Sequence, residues 1–253
     1  MRFSLANFFS ATVWRSCCAA LIALAATAAC AQFHSSQVDG IKKHDKKQHS
    51  DAEWMWQYGP PPADGRENDL IQDAKFRPFL AQNLIAPQSF WGVQGTKYKP
   101  LADTALDFLS VPGKVIADED RYLTITGCVF HFCPARGMLW VDLNAAPKTG
   151  NLVVFGAIDW IRDSKTTSQP DAEYTLWLFP NEVFGLTPDT PNQIPAALVH
   201  SIGRWTKEPL AGSGIVERVT HAIVVDPDGK PHEVPIAQLG IALPKLQPET
   251  DNQ

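Results

Sequence analysis

The sequence predicts an α+β domain, an antiparallel β-sheet with helices packed on one side and a disulfide-closed loop protruding from a sheet end. Three observations carry that expectation. From about residue 101, short segments with the alternation or β-branched content of strands follow one another. Tight turn signals separate them, as antiparallel hairpins require. Two cysteines, Cys128 and Cys133, fall between two of the strand segments, five positions apart.

The first 31 residues read as a targeting segment. Arg2 and Arg15 are their only charges, and they precede an apolar run from Cys17 to Ala31. Its 15 residues are too few to span a bilayer but suit a signal-peptide core. Ala29-Cys30-Ala31 supplies a small-x-small cleavage pattern, which predicts a mature chain starting at Gln32 in the periplasm or secreted. Acylation of Cys30 as a lipid anchor is the competing reading. Residues 32–66 read as a polar tether, with Lys42, Lys43, Lys46, Lys47 and three histidines, ending in the aromatic and proline-rich Trp54–Gly65.

A single α+β domain is expected over 67–243. Asn68 or Asp69 caps a helix running to about Gln82, restarted or kinked at Pro78. Pro87–Gly95 is a turn carrying Phe90 and Trp91. Strands are expected at Tyr122–Thr126, Met138–Leu143, Leu152–Ile158 and Tyr174–Phe179, with a short turn at Ala145–Gly150. A short helix near Ile194–Ile202 and strands at Val216–Val225 and Glu233–Ile236 follow. Asp226-Pro227-Asp228-Gly229 is the turn between those last two strands. Residues 244–253 read as a loose tail.

Composition narrows the function. The 253 residues carry a formal charge of −5, and removing Arg2 and Arg15 with no acidic residue takes it to −7. With no arginine-rich run, nucleic acid is excluded as a partner, since phosphate binding needs a positive surface. No apolar stretch reaches the roughly 18 residues of a membrane span. Neither G-x-S-x-G, nor H-E-x-x-H, nor a phosphate-binding glycine loop occurs, so intrinsic hydrolase activity is not expected. Ser213 reads as a turn residue; Asp159 and Asp163, at a strand end, offer an acid/base pair, with solvated loop carboxylates as the ordinary explanation. No cofactor is expected.

Five cysteines become two once residues 1–31 are removed, and two cysteines in an oxidising compartment should pair. Cys128, His131 and Cys133 are too close together to ligate one zinc ion easily, and four intervening residues argue against a redox pair. A bridge here fixes the shape of Val129, Phe130, His131 and Phe132. On spacing alone two readings stand: a histidine presented to a partner's cleft, or one that decorates a tight turn while the phenylalanines pack inward.

The pattern Cys-x-x-His-x-Cys at the end of a strand, in an exported protein, resembles the Ivy family, the periplasmic inhibitors of c-type (vertebrate) lysozyme. The likeness covers about residues 67–185, leaving 186–243 as an extension. It implies an α+β fold, often as a homodimer, with Cys128 and Cys133 matching the family's disulfide and His131 matching the histidine that enters the lysozyme cleft. Where the family has Lys, Pro and Asp, this chain has Val129, Phe130 and Phe132. The resulting expectation is an exported inhibitor or binding protein of a lysozyme-like cell-wall glycosidase. The alternative is an envelope interaction module using Val129, Phe130 and Phe132 as an apolar tip, without lysozyme inhibition.

Overall fold

A computed structural model describes residues 52–59, 70–92, 95–144, 150–162, 164–169, 171–186, 194–210 and 212–242. The expected signal peptide, most of the expected tether, the expected cap at Asn68 or Asp69 and the expected tail lie outside the described residues. Strands β1 (Val111–Asp118), β2 (Tyr122–Val129), β3 (Phe132–Asp142), β4 (Val153–Trp160), β5 (Glu173–Pro180), β6 (Arg218–Val225) and β7 (Pro231–Glu233) form one seven-stranded sheet in chain order. The helices are α1 (Phe76–Asn83), α2 (Leu101–Phe108) and α3 (Ala196–Trp205), with 3-10 turns at Glu53–Tyr58 and Ile236–Leu239.

Alternation along β3 explains why the sheet carries a core on each face. Leu139 and Val141 point into one core with Ile125, Phe155, Phe79 and Phe108, the last two from α1 and α2. Met138 and Trp140 point the other way, into a core with Leu176, Val224 and the α3 residues Leu198, Ile202 and Trp205. A strand buried on both faces needs apolar residues at successive positions, and residues 138–141 (MLWV) supply them.

The α+β class therefore holds, while the expectation of helices on one side is corrected: α1 and α2 cover one face and α3 the other. A second refinement concerns pairing. Each neighbouring pair is antiparallel except β5 and β6, which run parallel. Parallel strands cannot be joined by a tight turn, so the chain between them makes a crossover that carries α3 over the sheet.

The expected start of strand structure near Leu101 is also corrected. Pro100 sits at the N-cap, and Leu101, Ala105 and Phe108 recur at helical spacing to give α2 a buried stripe. Pro78 does restart a helix, standing in the first turn of α1, where a missing N–H does no harm. The turn at Asp226 is present, closed by the Gly229 N–H donating to the Asp226 carbonyl at 2.8 Å. Residues 52–59, read as part of the tether, belong to the domain, since Met55 is fully buried in the first core.

Candidate functional site

The β2–β3 hairpin ends in a crown of only two residues. Val129 pairs with Phe132, leaving Phe130 and His131 to turn the chain. One step back, Cys128 pairs with Arg136, so Cys133, Pro134 and Ala135 bulge from β3. A proline, lacking an N–H for the ladder, is accommodated at such a bulge. The Cys128–Cys133 disulfide closes across it, with Cα atoms 4.8 Å apart. Both cysteines thus stand in strands, and the bridge locks the stem of the hairpin beneath the crown.

The four residues between the cysteines separate into two pairs. Val129 and Phe132 are half-buried and pack against the first core. Phe130 is 62% exposed and His131 is exposed beside it. An apolar tip made of Val129, Phe130 and Phe132 together is therefore corrected: Phe130 alone presents an apolar surface. His131 has φ of 64°, in the left-handed region where glycine is the cheapest residue and histidine one of the better tolerated side chains. The Phe130 and His131 ring centroids are 3.8 Å apart at an interplanar angle of 48°.

A second anchor holds the crown from below. The backbone N–H of Phe130 donates to Ser110 Oγ at 2.9 Å, and the Ser110 hydroxyl donates to the Asp107 carbonyl at 2.7 Å. Ser110 lies just past α2, and it reaches the crown because Gly127 and Gly137 face each other across β2 and β3. A Cβ at Gly137 would stand 2.8 Å from the Phe108 carbonyl oxygen, and one at Gly127 would stand 2.9 Å from Leu109 Cα. Only a pair of glycines lets the end of α2 lie this close to the sheet. Sequence reasoning missed Ser110. The available signal was the pair of glycines flanking the cysteine motif, Gly127 directly before it and Gly137 four residues after it.

The strand position opposite Cys128 leads to the interior. Arg136 Nε donates to Glu217 Oε2 at 2.5 Å, and Nη1 donates to the Glu208 carbonyl at 3.0 Å. The guanidinium also lies over the Trp205 ring, 5.6 Å from its centroid. The Glu217 side chain is wholly buried, and burial pushes its carboxyl up to about 7 against the opposing pull of Arg136. Burial, reinforced by the Glu217 charge, likewise holds the Tyr174 phenol above its ordinary range. This pair, on segments 81 residues apart, ties the chain after α3 to the base of the disulfide hairpin.

Other sequence candidates do not join the crown. Asp159 is not in a loop: it lies in β4, paired in register with Thr175, and burial raises its carboxyl to about 6. Asp163 lies outside the described residues. Ser213 sits in a turn, its hydroxyl accepting the Ile215 N–H at 3.2 Å. Among the described residues no group of three histidine, cysteine or acidic side chains is placed to hold a metal ion, and no helix is long and apolar enough to cross a membrane. The arrangement offers rigid presentation: an exposed imidazole and an exposed phenyl ring on a hairpin fixed by a disulfide and by the end of a helix. No family model, curated protein or solved structure matches the chain.

Proposed function

We propose that the protein is exported and binds a cell-wall glycosidase of the lysozyme type, with His131 as the group that enters the enzyme's cleft. The observation that supports this reading is the crown itself. A side chain with two ring nitrogens is exposed at a left-handed position that a glycine would fill at lower cost, on a hairpin secured by two separate anchors. Glycosidases flank the scissile bond with two carboxyl groups. An imidazole placed between them hydrogen-bonds both and, as imidazolium, gains from their charge. Such blockade requires rigidity and no chemistry from the inhibitor. The charge of −7 on a chain lacking residues 1–31 favours fast association with a basic enzyme.

The test is inhibition of lysozyme-driven lysis by processed protein beside its His131→Ala variant. Loss of inhibition in the variant, with stronger binding at pH 6 than at pH 8 and slower association in added salt, is the expected result. Full inhibition by His131→Ala removes His131 from the mechanism.

A further inference from the structure

The Phe130 ring lies so close to His131 that no cleft can admit one without covering the other. Their centroids are 3.8 Å apart, and Phe130 is 62% exposed while both neighbouring apolar side chains pack inward. Its backbone is already fixed through Ser110, so burying the ring in a partner loses little further freedom of the main chain. We infer that the crown reads two adjacent features of its target: a carboxyl pair taken by His131, and an apolar or aromatic sugar-stacking surface beside that pair taken by Phe130. The inference rests on the proposed binding of a glycosidase and deepens it by naming the subsite.

The chemistry of a glycan cleft supports the pairing. Sugar rings offer an apolar C–H face as well as hydroxyls, so an enzyme that grips them has flat apolar side chains next to its polar catalytic groups. A phenyl ring covers such a surface as the sugar face would, and an imidazole covers the polar gap. The adjacent, tilted pair of rings therefore resembles a substrate in the order of its surfaces, apolar then polar. An enzyme whose neighbouring subsite is charged would have to desolvate that charge against Phe130 and would be rejected.

The experiment measures binding kinetics of processed protein to a c-type lysozyme for the wild type, Phe130→Ala, Phe130→Trp and His131→Ala. Phe130→Ala is expected to weaken binding by about 10-fold or more, chiefly through a faster off-rate. That loss should be equal at pH 6 and pH 8 and insensitive to salt, unlike the loss in His131→Ala. Phe130→Trp is expected to stay within about 3-fold of the wild type, since a larger flat ring still stacks. An unchanged Tm in Phe130→Ala separates lost recognition from lost folding. If His131→Ala weakens binding and Phe130→Ala stays within about 2-fold of wild type, the subsite inference is overturned and the glycosidase reading stands. If the wild type does not bind, both fall.

Discussion

Arg136 and Glu217 form an ion pair in the protein interior, 2.5 Å apart, with the carboxylate wholly shielded from solvent. Removing the carboxylate strands the Arg136 guanidinium, which cannot lose its proton, in a medium that cannot solvate it. Glu217→Leu is expected to lower the unfolding free energy by about 3–5 kcal/mol. The double variant Arg136→Met/Glu217→Leu should recover much of that loss. Urea unfolding of both checks the pair, and a single variant as stable as the wild type would contradict it.

Burial sets a pH dependence whose sign is opposite to the usual acid-denaturation pattern. The Glu217 carboxyl is raised from 4.5 to about 7 and that of Asp159 from 3.8 to about 6. Each holds its proton more tightly folded than unfolded, so its contribution is fully present below the unfolded value and is lost as pH rises through the folded one. Stability carried by these two groups should therefore fall between about pH 4 and about pH 7. Urea midpoints across that window test it, with Glu217→Gln flattening the upper part of the decline.

Cys128 and Cys133 are expected to show no reactive thiol in processed, non-reduced protein. Replacing both by serine should cost about 2 kcal/mol by the chain-entropy model. The larger effect should be on target binding, because the bulge at Cys133–Ala135 would no longer be tied to β2. Thiol labelling and the binding assay measure the two effects separately.

Ser110→Ala removes the acceptor for the Phe130 N–H. The expected cost in stability is about 1 kcal/mol, since the N–H turns to water. Binding should weaken through the off-rate, as the crown samples other shapes before closure. An unaltered off-rate would show that the disulfide alone suffices to hold the crown.

His131→Gly separates recognition from folding. At φ of 64° glycine is unstrained, so Tm should stay level or rise while binding is lost. His131→Val, with a β-branched side chain at the same position, should lower stability by about 1–2 kcal/mol. Thermal melts of the two variants make the comparison.

What the sequence revealed follows from the range of the physics involved. The strands at Tyr122 and Tyr174 and the turn at Asp226 declared themselves because alternation and turn chemistry act between neighbours in the chain. The Cys-x-x-His-x-Cys spacing was equally local, and the bridge it suggested is present. β1 was missed because its Val-Pro-Gly-Lys start is that of an edge strand, poor in the usual signals. The parallel β5–β6 pair and the helices on both faces depend on which way a long connection crosses, which no local window records. Ser110 was illegible for the same reason: a serine hydroxyl declares no partner, and its partner here lies 20 residues away. Glu217 carried no local signal of its role either, although it is buried against Arg136.

The way Ser110 holds the crown bears on how this protein can change over evolutionary time. Its hydroxyl grips a main-chain N–H, and the disulfide closes below positions 130 and 131, so neither anchor uses the side chains on display. The atoms that fix the hairpin are thus separate from the side chains it exposes. A lineage can exchange the residue at 130 freely, and that at 131 among types that tolerate a left-handed backbone, without disturbing either core. The hairpin is in this sense a two-letter display on a fixed mount, open to retargeting by mutation or by deliberate grafting.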